Sequence, residues 1–155
     1  MQTQPLYEKD FYAWIYHNIE LVQAKKWEDI DADLLIEELE SMVKRDRHEF
    51  VSHLTILLLH LLKWQFQYQQ LAAQWQEFEG KSWKFSIIEQ RKRISKQLKM
   101  SPSLKSFFDE AIEEAYVDAV ELAVKETQLA VNTFPMTCPY HIEQLLDDGF
   151  YPQSE

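Results

Sequence analysis

The chain has 155 residues, of which 46% are hydrophobic and 14% aromatic, and its 26 acidic and 16 basic side chains leave a net charge of −10. That composition suits one ordinary domain with a real core and excludes a disordered chain. Two glycines, five prolines and a single cysteine favour long helices over a many-turned sheet and leave no internal disulfide.

A first helix is expected to start near Lys9 or Asp10, with Tyr12, Ile15, Ile19 and Val22 as its apolar stripe. Asp31 then stands as an N-cap for a long second helix, Ile30 and Leu35 occupy the positions of a hydrophobic staple, and Asp33 suits the positive first turn. On that helix Leu35, Leu39 and Met42 open a stripe that Phe50, Leu54, Leu57, Leu61 and Trp64 continue. KRDRHE, residues 44–49, interrupts it and covers every direction of a helix, so it is a solvated turn, a bend or a charge network. Nothing breaks residues 65–78, so the helix is free to continue to Phe78 and end at Gly80. Ser82 caps a third helix with Trp83, Ile87, Ile94 and Leu98 inward. Ser101-Pro102 restarts the chain as a fourth helix with Phe108, Ile112, Ala115, Ala119 and Leu122 on its stripe. Pro139 can open a last short helix, YHIEQLL. The expected fold is all-α: one domain over residues 1–155, a bundle of four main helices with a short C-terminal helix.

The longest apolar run, residues 56–62, is broken by His60 and is far short of a membrane span. MQTQPLYEKD has neither a basic nor an apolar leader region, so a soluble cytoplasmic protein is expected. Charge is unevenly spread: residues 1–80 hold 14 acids and 7 bases, residues 81–105 hold 8 bases and only Glu89, and residues 106–155 hold 11 acids and only Lys125. Such a block suits an acidic partner or two neighbouring helices that neutralise each other.

Several segments stand in a fixed order: DFYAW, IEELE, LLLHLLKWQFQ, SW followed by EQR, SPSL, AY followed by ET, and FPMTCPY with LLDDGFYP. As a set they resemble the domain-of-unknown-function 29 family, small helical proteins abundant in cyanobacteria, over about residues 6–152. The resemblance implies an all-helical fold and supplies no activity, cofactor or catalytic residue. The stretch 68–81 is longer than the family's usual link between the leucine-rich helix and the SW motif.

Each candidate chemistry has a plainer structural reading. His53 and His60 lie on one flank of the Leu57 stripe, seven residues and about 10 Å apart along the axis, too far to share one metal ion. No HxxxH, HExxH or ExxH pair accompanies them. They read as core-edge histidines, His53 within reach of Glu49, against the alternative of a metal site completed by acids of other helices. Glu37 and Glu40 share a face in IEELE, but a solvated Glu40–Lys44 pair is the simpler reading of that cluster. Cys138 at a helix start with His141 has the outline of a nucleophile and base, without a third orienting group; packing is the simpler role. Trp64 and Trp83 read as core, whereas Trp27 and Trp75 are candidates for surface contacts. No glycine-rich phosphate loop and no GxSxG motif is present.

The remaining feature is a cationic strip: Lys92, Lys96 and Lys99 at i, i+4 and i+7, flanked by Arg91 and Arg93. Arg91, Lys92, Lys96 and Lys99 are the candidate interaction surface; no catalytic, cofactor or metal residue is assigned. The expected function is a non-catalytic helical module that binds another protein, a second copy of itself included. The alternatives are a nucleic-acid-associated regulator using the basic helix around residues 91–99, disfavoured by the acidic whole, and a metal-dependent enzyme with a site inside the bundle.

Overall fold

The computed structural model describes residues 3–68, 71 and 80–153. Among them there is no strand, and six α-helices follow one another: α1 Thr3–Lys9, α2 Phe11–Gln23, α3 Ala32–Lys63, α4 Lys81–Met100, α5 Phe108–Thr127 and α6 Ile142–Leu146. The all-α class and the four long helices with a short last one are as the sequence leads one to expect. The chain divides into two compact units, Met1–Arg45 and Asp46–Glu155.

In the first unit, Asp10 and Asp31 cap their helices, each accepting a backbone N–H three residues on at 3.1 Å, from Ala13 and Leu34 respectively. The preceding helix α1 was not legible in the sequence; its Pro5 falls in the first turn, where no backbone donor is needed. Tyr7 ties the unit together: its ring meets Trp14 edge-on at 4.9 Å, and its hydroxyl donates to Glu38 at 2.7 Å. The buried face of α2 is Trp14, Asn18 and Leu21, so the stripe read from Tyr12, Ile19 and Val22 has the wrong phase. Tyr12 is 74% exposed, and Ile19 and Val22 are exposed too. Both faces of this helix have helical apolar spacing, and the aromatic cluster of Tyr7, Phe11 and Trp14 decides between them.

The same reversal marks the start of α3. Leu39 and Met42, expected in the core, are exposed, as are Ile36 and Val43. Residues 44–49 remain helical and every one is exposed, which selects the solvated turn among the three readings of KRDRHE.

In the second unit the leucine-rich part of α3 is the centre. Phe50, Leu54, Leu57, Leu58, Leu61 and Leu62 have no accessible surface, so this stretch is apolar on almost all sides rather than along one stripe. Ile87 and Ile94 of α4, and Phe108, Ala111, Ala115 and Ala119 of α5, join the same core. Leu122 is half exposed and Ala123 takes the inward place instead. Ser101-Pro102 opens a 3-10 turn, Pro102–Phe107, which leads into α5.

Residues 64–68 depart from the α-helix into a π-helical turn, a register change that stacks Trp64 on Tyr68 with centroids 4.2 Å apart. The expected continuation to Phe78, and Trp75 with it, lies outside the described residues. Gly80 caps α4 in the left-handed region, φ 66, in place of the expected Ser82. A Cβ there would lie 2.7 Å from the Tyr68 ring and 3.1 Å from Trp64, so both the backbone angle and the stacked pair demand glycine.

Leu57→Ala should lower the unfolding free energy by about 2–5 kcal/mol in chemical denaturation, because it empties a fully buried site. Gly80→Ala should cost about 1–3 kcal/mol through its backbone angle and the displaced Tyr68 ring; an unchanged midpoint for either variant would contradict this packing.

Candidate functional site

Arg91, expected on the cationic strip, is 1% exposed. It sits on the inward side of α4 beside Ile87 and Ile94, a phase that the run Arg91-Lys92-Arg93 hides. Its Nε donates to the Leu145 carbonyl at 2.9 Å, and one terminal nitrogen donates to Gln144 at 3.2 Å and Phe150 at 2.7 Å. Gln144 and Leu145 lie in the last turn of the short α6, where the Gln144 carbonyl also accepts the Asp147 N–H at 3.3 Å, so the guanidinium adds a charged donor at that helix's C-terminal end. Burial lowers its pKa, and Tyr151, Asp148 and Asp147 partly oppose that shift. Its other terminal nitrogen is buried without a partner. Arg91 therefore holds the C-terminal segment and is not part of a solvent-facing strip.

Lys92, Lys96 and Lys99 are exposed. Among the described residues no ion pair joins them to the acidic face of α5, contrary to what its charge pattern suggests. The ion pairs here run within helices, Arg93 to Glu89 at 2.8 Å and Lys125 to Glu121 at 3.3 Å, or from α3 to α5, Lys63 to Glu126 at 3.1 Å. Lys63 is itself buried, with its ammonium 4.7 Å above the Trp83 ring.

Lys96 joins Arg93 at a cleft of about 300 Å³ between α3 and α4, where Asp46, Glu49, His53, Gln97 and Ser101 complete the polar lining. His53 Nδ1 lies 2.8 Å from Gln90 Oε1, which requires the proton on Nδ1, and Nε2 faces Glu49 at 3.4 Å. This is an imidazole positioned between an amide and a carboxylate. Two acids and two bases make the rim close to balanced in charge. Gln97 donates to the Asp46 carbonyl at 3.3 Å, and its Oε1 is buried without a partner. The sequence signalled Glu49 beside His53; Gln90 and Gln97 escaped notice because neutral amides carry no charge pattern.

The second histidine, His60, donates from Nδ1 to the Ile56 carbonyl, 2.9 Å away, one turn back on its own helix. Burial lowers its pKa. Cys138 is half-buried. α6 begins only at Ile142, after the His141 N–H has bonded to Gln144 Oε1 at 2.8 Å, so Cys138 stands at no helix start. Burial raises its thiol pKa, which is opposite to the activation a nucleophile needs. In IEELE it is Glu38, not Glu37 or Glu40, that is engaged, by Tyr7 and by Arg45 at 3.3 Å. Its hydrogen bond is the main reason the Tyr7 pKa rises. Among the described residues no three His, Cys, Asp or Glu side chains converge as a metal set would.

The motif residues mostly touch one another. Tyr140 of CPY donates to Gln65 of KWQFQ at 2.7 Å, Tyr116 of AY donates to the Pro135 carbonyl of FPMTCP at 2.6 Å, and Trp64 packs on Tyr151 of GFYP at 5.0 Å. Burial pushes the Tyr116 pKa up to about 12. These segments are the joints of the fold.

A family model described as "Domain of unknown function DUF29" matches residues 6–151. No curated protein and no solved structure matches the chain.

Arg91→Ala should destabilise the protein by about 1.5–3 kcal/mol, since it leaves the buried Leu145 carbonyl and the part-buried Gln144 and Phe150 carbonyls without their charged donor, and should make the segment after Pro139 a site of rapid limited proteolysis. Wild-type stability with an equally resistant C-terminal segment would contradict this role.

Proposed function

The chain belongs to the family described as domain of unknown function DUF29, and we propose that within it this protein is a non-catalytic helical module that acts by binding another protein. One observation carries the reading: in the first unit, large apolar side chains crowd the solvent-facing sides of two helices, Tyr12, Tyr16, Ile19 and Val22 on α2 and Ile36, Leu39, Met42 and Val43 on α3. Scattered exposed apolar residues are ordinary, but residues repeating at helical spacing form a contiguous stripe, and such stripes mark contact surfaces. The side chains with reactive potential are occupied elsewhere. Arg91 is bonded to the C-terminal end of α6, His53 is held by Gln90, and the Cys138 thiol is kept protonated by burial.

A nucleic-acid-associated role through Lys92, Lys96 and Lys99 has one supporting observation, their exposure without an ion pair among the described residues. The test separates the two. The size of the tagged protein's complex in native extract should fall when Ile36, Leu39 and Val43 are changed to Ser, and should be unmoved by Lys92, Lys96 and Lys99→Glu. Loss with the lysine variant alone, together with RNA or DNA binding that persists at about 0.15 M salt, would replace the protein-binding reading with the nucleic-acid one.

A further inference from the structure

We propose that the exposed face at the start of α3 is a self-association surface, on which a second copy of this chain packs the same helix antiparallel to the first about a two-fold axis. This rests on the protein-binding reading above and names the partner.

Ile36, Leu39 and Val43 are 52%, 53% and 54% exposed. At i, i+3 and i+7 they fall within about 60° of one another on a helix, the spacing of a coiled-coil seam. The opposite side of this stretch already has its contacts, through Glu38 to Tyr7 and to Arg45. The seam is therefore the side left for another helix.

Its flanks decide the partner. By the same rotation, Asp33, Glu40 and Lys44 lie on one flank and Met42 lies on the other, while Glu37 and Glu38 fall further round, each about 130° from the seam. The charged flank runs from acid to base along the chain: Asp33 and Glu40 first, then Lys44. In an antiparallel two-fold pair each flank meets its own copy with direction reversed. The acidic start of one charged flank then faces the basic end of the other, and Met42 meets an apolar flank. In a parallel pair the charged flank of one copy would lie against the Met42 flank of the other, stripping water from charges with nothing to pair them. An antiparallel second copy satisfies the apolar seam, the sign order and the one-sided placement of charge together.

The experiment uses the purified full chain. Sedimentation equilibrium should show a dimer whose dissociation constant rises about 100-fold with Leu39→Glu and Val43→Glu together, as loss of two central apolar anchors does, while circular dichroism is unchanged. Glu40→Lys should weaken the dimer at low salt and recover as salt screens the repulsion. Direction is read with single spin labels in a Cys138→Ser background. At the 1.5 Å rise per residue, an antiparallel pair centred near Ser41 sets labels at Asp33→Cys about 24 Å apart along the axis and those at Lys44→Cys about 9 Å apart. Equal short separations at both positions would mean a parallel pair and overturn the proposal. A purified chain that stays monomeric also overturns it. If the complex in native extract is still lost with the Ile36, Leu39 and Val43 substitutions, the protein-binding reading survives with a different partner; if that complex never forms, both fail.

Discussion

The fold depends on burying one stretch of α3 on nearly all its sides. Leu54, Leu57, Leu58, Leu61 and Leu62 are shut away from water, and each buried leucine contributes about 1.5–3 kcal/mol. Such a helix has no solvent face of its own. It requires α4, α5 and the segment that follows them as a wall, and the rest of the second unit is the means of holding that wall. The devices are polar and few: Arg91 on the carbonyls of Gln144, Leu145 and Phe150, Tyr140 on Gln65, Tyr116 on the Pro135 carbonyl, and Lys63 on Glu126. The bonds of Arg91 to Leu145, Tyr140 to Gln65 and Lys63 to Glu126 join segments 54, 75 and 63 residues apart, and Tyr116 closes a span of 19.

The first half of the same helix obeys a different rule. There Ile36, Leu39, Met42 and Val43 are exposed while Leu34 and Leu35 are half-buried, and residues 44–49 are solvated all round. One continuous helix thus carries two kinds of apolar surface: one buried in the second unit's core, and one exposed to solvent. The polar turn between them keeps the two apart, because a continuous apolar stripe through residues 44–49 would have extended one surface into the other.

Much of this was legible in the sequence, and the failures are instructive. Scarce glycine, a start near Lys9 or Asp10 and the cap at Asp31 read directly as long helices with defined starts. The phase of α2 did not, because apolar residues recur on both of its faces and only the packing of Tyr7 on Trp14 shows which is covered. Leu39 and Met42 were assigned to the core by the same logic that placed Leu57 correctly; periodicity reports that a face is apolar, never whose side chains cover it. Arg91 was misplaced because a run of three basic residues looks uniform, although a rotation of 100° per residue sends one of them inward. Gln90 and Gln97 carry no charge, so the setting of His53 was invisible until the cleft existed.

The central claim is that the two halves of α3 are protected by different neighbours. Amide hydrogen exchange of the full chain at low and high protein concentration tests it most directly. Protection over residues 50–62 should be the same at both concentrations, set by the unit's own stability, whereas protection over residues 33–43 should rise with concentration as the outward face is covered. Concentration-independent exchange over residues 33–43, in a protein whose core amides behave as expected, would contradict the account.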